Sequence, residues 1–215
     1  MKKTIQKLAF VALASGLIAV SCKKDEKTNP PSPVPPPPAN EEELITTFKL
    51  YLSDGSDTTV YLFKDPDGDG GIPAFYGPGT TTASTQSDSV IVLKPNTTYT
   101  ATLVFLDESK TVTDTISHEI EEEADDHMVF FNQSNPSALP NASVTISGTN
   151  LGITYLDNDG STPPLPLGLI TKWQTGSTAG KAPLNMALKH QPGVKNGTYA
   201  PGDTDISVNF KVLIN

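Results

Sequence analysis

The chain has 215 residues, of which 15 are basic and 24 acidic, for a net charge of −9, and it contains one cysteine. An acidic body of this kind argues against nucleic acid as a partner and against lying flat on anionic lipid, because both depend on basic side chains meeting phosphate. A lone cysteine excludes an internal disulfide, so any folded part must be held by burial alone.

The N-terminus reads as an export leader. Lys2, Lys3 and Lys7 precede an apolar run from Leu8 to Val20 of about 13 residues. Crossing a bilayer takes roughly 20 apolar residues, so this length fits a secretory core and not a membrane span. Ala19-Val20-Ser21-Cys22 resembles the lipobox of bacterial lipoproteins, with Ala19 where leucine is usual. The resemblance implies cleavage after residue 21 and a diacylglyceryl group on the Cys22 thiol. The alternative is an incidental cysteine behind an ordinary cleavage site, but a single unpaired thiol is uncommon in an exported protein. Removing residues 1–21 takes away three lysines and no acid and moves the net charge from −9 to −12. Each buried methylene contributes ~0.8 kcal/mol, so two or three acyl chains such as palmitate would hold firmly where one would not.

Lys23-Lys24-Asp25-Glu26 looks like the basic-then-acidic signal of surface-exported lipoproteins in Bacteroidota-type bacteria. A solvated charge run is the plainer reading. The expected location is the outer membrane, facing the cell exterior, with the membrane as partner through the lipid. Residues 22–40 form the lipidated cysteine and a linker, in which Pro30-Pro31-Ser32-Pro33-Val34-Pro35-Pro36-Pro37-Pro38 favours polyproline II at about 3.1 Å per residue. It serves either as a semi-rigid stalk or as a peptide-recognition segment, and the stalk is the simpler role.

From Glu41 to Asn215 the pattern turns to period two. Leu44, Thr46, Phe48, Leu50 and Leu52 share one face, Asp54-Gly55 marks a turn, and Thr58 to Lys64 returns. Further strands are expected at Val90–Leu93, Tyr99–Phe105, Met128–Phe131, Ala142–Ile146, Leu167–Trp173, Leu184–Leu188 and Ile206–Ile214. No amphipathic helix of ordinary length is visible. About nine or ten short strands with Gly, Pro and Asp in the breaks predict an all-β fold, an antiparallel β-sandwich of immunoglobulin or fibronectin III type. Leu93-Lys94-Pro95-Asn96-Thr97-Thr98-Tyr99 resembles the tyrosine corner of those domains, in which a phenol turns back to the preceding chain. An ordinary core tyrosine is the alternative.

Few residues suggest chemistry. Asp65, Asp67 and Asp69, followed by Gly70-Gly71, resemble the first half of a calcium loop, whose oxygens converge from alternate positions. Position twelve, where a bidentate Glu belongs, is Tyr76, so Ca2+ here competes with a plain hairpin loop. Asp157 and Asp159 before Gly160 are a weaker echo. His118-Glu119-Ile120-Glu121-Glu122-Glu123-Ala124-Asp125-Asp126-His127 places six carboxylates between two histidines. The spacing matches neither the i, i+4 histidines of a zinc site nor paired cysteines, so a solvated turn between strands is expected. Trp173 is read as core filling, with a sugar-stacking platform as the alternative. There is no G-x-S-x-G elbow and no glycine-rich phosphate loop opening a helix, so an enzyme is not expected unless His118, His127 or His190 meets an acid in a pocket.

Glu41-Glu42-Glu43-Leu44-Ile45-Thr46-Thr47, the Asp65–Gly71 loop, Ile120–Phe131 and Leu184–Gly197 together are similar to a group of short Bacteroidota-type surface lipoproteins, often labelled "type 1 periplasmic binding fold". The resemblance implies surface lipoprotein status. The label's two α/β lobes demand alternating strands and helices, which this sequence does not carry. The expected role is non-catalytic binding or adhesion to a protein or glycan. The alternative is a solute- or glycan-binding accessory lipoprotein of an uptake system.

Overall fold

Alternating apolar and polar side chains build this body, because successive residues on a strand point to opposite faces. The computed structural model describes residues 43–66, 74–78, 90–136, 139 and 142–215. These lie in one compact unit, Ala39–Asn215, whereas Met1–Pro38, with the leader, Cys22 and the proline run, lies outside the described residues. In chain order the strands are β1 (Thr47–Ser53), β2 (Thr58–Lys64), β3 (Ala74–Tyr76), β4 (Val90–Leu93), β5 (Thr98–Leu106), β6 (His127–Phe131), β7 (Ser143–Ile146), β8 (Leu151–Tyr155), β9 (Ile170–Thr175), β10 (Gly180–His190) and β11 (Asp203–Ile214). Helix α1 (Ile116–Glu122) stands between β5 and β6.

The strands form two sheets, of order β3-β2-β1-β5-β9-β8-β7 and β4-β11-β10-β6. Every pairing is antiparallel except β4 with β11. The all-β antiparallel sandwich predicted by the alternation is the fold observed. Its sheets meet through aromatic rings: Phe63 lies 4.8 Å from Phe210, and Phe131 meets Trp173 edge-on at 6.2 Å. Burying each such side chain contributes about 1.5–3 kcal/mol, and this core replaces the disulfides the chain lacks.

Two phenols of the larger sheet secure the outer edge of β4. The Tyr61 hydroxyl accepts the Val92 N–H at 3.0 Å and lies 3.4 Å from the Val92 carbonyl, while the Tyr99 hydroxyl accepts the Lys94 N–H at 2.8 Å. The Tyr99 phenol thus turns back to the preceding chain, as the sequence suggested, and it ties one sheet to the other. An edge strand with unpaired backbone groups invites a foreign strand, and these hydroxyls occupy that role.

Three sequence expectations need correction. Eleven strands are present among the described residues, not nine or ten. The missed ones are β3, only three residues long, and β8, five residues long, whose inward Leu151, Ile153 and Tyr155 alternate with Gly152 and Thr154. The acidic run is only partly a turn: residues 123–126 turn into β6, but its first half is α1, because Ile116 and Ile120, one helical turn apart, are both buried. The Ser117 hydroxyl accepts the Phe105 N–H at 2.7 Å and fixes the helix beside β5. The strand predicted at Leu167–Trp173 begins instead at Ile170, with Leu167 and Leu169 buried ahead of it.

Candidate functional site

The antiparallel register of β6 and β10 sets His127 directly opposite His190. Their neighbours in that register, Val129 with Leu188 and Phe131 with Met186, share the face turned toward the larger sheet, so period two carries the histidines inward as well. The two imidazoles stack with centroids 4.2 Å apart and planes 11° from parallel. Both residues are almost wholly buried, His127 at 0% exposure and His190 at 2%.

Two carboxylates lie beside this pair, and a third, Glu43, is electrostatically coupled to them. Glu123 caps the C-terminus of α1, and one donor atom from each of Glu123, His127 and His190 lies within 4.8 Å of the others. Asp205 is the residue skipped where the β10–β11 register shifts between Leu188 and Lys189, a bulge that buries its carboxylate beside His190, with Oδ1 4.0 Å from Nδ1. Glu43, just ahead of β1, shares a hydrogen bond with Glu119 of α1. Burial first, then that bond and the charges of Glu119, Asp205 and Glu123, push the Glu43 carboxyl up to about 7.

The hydrogen bond of His127 fixes its tautomer. Nδ1 lies 3.1 Å from the Glu123 carbonyl oxygen, which only accepts, so Nδ1 must carry the proton. Nε2 is then the lone-pair nitrogen, and it is buried with no hydrogen-bond partner among the described residues. Burial pushes the imidazole down to about 4, so the ring is neutral near pH 7. Two imidazoles and a carboxylate thus each bring one donor atom to within 4.8 Å of the others, groups of the kind that can ligate a transition metal.

The segment carrying Glu123 and His127 is fastened to the loop after β10. Lys195 donates to the Ala124 carbonyl at 2.7 Å, Gly193 N–H donates to Asp126 Oδ1 at 3.0 Å, and Gln191 N–H donates to the Asp126 carbonyl at 2.6 Å. The same Lys195 ammonium pairs with Asp159 Oδ2 at 3.1 Å. The site therefore sits on three mutually tied segments.

Of the residues singled out by sequence, Cys22, Asp67 and Asp69 lie outside the described residues. Asp65 follows β2, and its N–H donates to the Thr46 carbonyl at 2.9 Å. Asp157 and Asp159 serve their own loop. Asp157 accepts the Gly168 and Ile170 amides, each at 2.7 Å, and Asp159 Oδ1 accepts those of Ser161 and Leu165, each at 3.0 Å. The cation that Asp159 holds is the Lys195 ammonium. Trp173 is 0% exposed and donates to Thr171 Oγ1 at 2.9 Å, so it fills the core and offers no stacking platform. His118 is exposed on α1, away from the buried histidines.

Sequence reasoning missed the His127–His190 pairing, which cross-strand register alone creates. One signal was available: Glu123 and His127 stand four residues apart, a common ligand spacing at a helix end. No family model, curated protein or solved structure matches this chain.

Proposed function

We propose that the chain is a lipid-anchored outer-membrane lipoprotein, displayed on the cell exterior, whose sandwich serves a non-catalytic binding role. The observation that carries this reading is the leader ending in Ala19-Val20-Ser21-Cys22, followed by Lys23-Lys24-Asp25-Glu26 and the proline run. Kinship with the short Bacteroidota-type surface lipoproteins belongs to the same proposal. So does the immunoglobulin or fibronectin III likeness, for which Tyr99 and its bond to Lys94 are the support.

The histidines lie beneath the surface and line neither of two surface cavities, of about 240 and 250 Å³, at Lys94 and at Asn150. Burial of Trp173 removes the aromatic that a glycan platform would have used.

The test is location. Intact cells expressing the parent chain and Cys22→Ser are treated with protease and fractionated. The reading expects the parent in the outer-membrane fraction and digested from outside, and the variant released in soluble form. An undigested parent refutes surface display, and a variant still bound to membrane refutes anchoring through Cys22.

A further inference from the structure

Helix α1 is fixed beside β5, and at its C-terminus Glu123 belongs to the one group of His, Cys, Asp and Glu donors that converges among the described residues. Glu123 is exposed, whereas His127 and His190 are buried. The group therefore has one member in water and two under the surface, which provides an entry path for a small ion and none for a larger ligand.

Two features distinguish it from a mere cluster of acids. The first is His127 Nε2, a buried lone-pair nitrogen with no donor to satisfy it, because Nδ1 is committed to the Glu123 carbonyl. Such an atom costs free energy unless something electrophilic meets it. The second is the surroundings of the ligands. Metal-bound histidines characteristically have the other ring nitrogen turned to a carbonyl or carboxylate, and here His127 has the Glu123 carbonyl and His190 has Asp205 on its Nδ1 side.

We propose that Glu123, His127 and His190 form a binding site for one divalent transition-metal ion of the zinc class. Two imidazoles and one carboxylate suit a borderline ion, whereas calcium and magnesium take oxygen donors almost throughout. With nitrogen bonds of about 2.0–2.1 Å, donors around a tetrahedral ion stand roughly 3.3 Å apart. The present donors, within 4.8 Å of one another, would close by no more than about 1.5 Å. The exposed Glu123 side chain can swing by that amount, whereas the imidazoles, stacked 11° from parallel, must turn out of their stack to aim both in-plane lone pairs at one ion. A fourth position falls to water. The ion would tie α1, β6 and β10 together. This inference does not depend on the lipid anchor.

The test uses the full chain carrying Cys22→Ser, which removes the thiol as a competing ligand, with zinc chloride alone as the probe in calorimetry and in equilibrium dialysis with metal analysis. One zinc per chain is expected, together with an upward shift of the melting temperature. Cobalt in place of zinc should give the strong visible absorption of a four-coordinate ion. Glu123→Gln changes an exposed side chain and should fold normally by circular dichroism, yet lose at least tenfold in zinc affinity. His118→Gln, exposed on the same helix, should bind as the parent does. Absence of stoichiometric binding at millimolar zinc, or unchanged affinity in folded Glu123→Gln, overturns the site.

Discussion

Replacing Lys195 by methionine removes the cation that binds three segments together, and the structure sets the size of the loss. The Lys195 and Asp159 side chains are each 2% exposed, with Nζ 3.1 Å from Oδ2 and a second bond to the Ala124 carbonyl at 2.7 Å. Methionine keeps much of the volume but leaves a buried carboxylate and a buried carbonyl without their donor. Breaking a buried pair in this way costs about 3–5 kcal/mol, against about 0–1 kcal/mol for an exposed one. Total stability for a domain of this kind is about 5–15 kcal/mol, so the variant should stand much closer to unfolding. Asp159→Asn should cost a comparable amount, because it strands the ammonium. The double variant should lose less than the two singles together, by about 1–3 kcal/mol, since neither charge is then left alone. Urea unfolding followed by the fluorescence of Trp173, the sole tryptophan, reads all three. A Lys195→Met loss under about 1 kcal/mol, or strict additivity, would refute the claim that the pair is buried and coupled.

Further outcomes follow from other contacts. Tyr61→Phe and Tyr99→Phe leave the Val92 amide of β4 and the Lys94 amide just after it without their acceptors and should each cost about 1–2 kcal/mol in urea; a loss of only a few tenths would mean water replaces the phenol without penalty. Gly168→Ala places a Cβ 2.9 Å from the Val129 Cβ and 3.0 Å from the Tyr155 ring at φ +96°, so a loss of about 2–5 kcal/mol is expected, and a variant with parental stability would contradict the packing. Asp157 and Asp159 should titrate on opposite sides of the ordinary value of 3.8 in carboxyl NMR: burial raises Asp157, while for Asp159 the bonds from Ser161, Leu165 and Lys195 outweigh burial and lower it. By linkage, the stability from Asp159 is fully present above its unfolded pKa and is lost as pH falls through its depressed folded value, whereas raised Asp157 opposes folding at neutral pH and ceases to do so in acid. The reverse order of titration would sink that assignment.

The sandwich was legible because most of its strands bury one face only. β11 shows it best, with Val208, Phe210, Val212 and Ile214 inward and Asn209, Lys211 and Leu213 alternating between them. Tyr99 was legible for a related reason, since a corner is a local arrangement whose parts lie within a few residues. The helix was hidden by its own charge: three glutamates and a histidine dominate Ile116–Glu122, and only Ile116, Ser117 and Ile120 face inward. The parallel pairing of β4 with β11 leaves no trace in either strand. The histidine pair was invisible for the same reason, because register sets His127 against His190 and a bulge brings in Asp205. Asp157 and Asp159 drew attention as calcium-like spacing, yet the same carboxylates close a loop with backbone amides and a lysine. Spacing alone does not separate those two uses of an oxygen.

The anchored-sandwich account stands or falls on the chemistry at residue 22. Intact-mass spectrometry of the mature protein, extracted from outer membranes, should show a chain beginning at Cys22 and heavier than its sequence by a diacylglyceryl group, with or without a further acyl chain. A mature chain with a free Cys22 thiol, or one retaining residues 1–21, would contradict it.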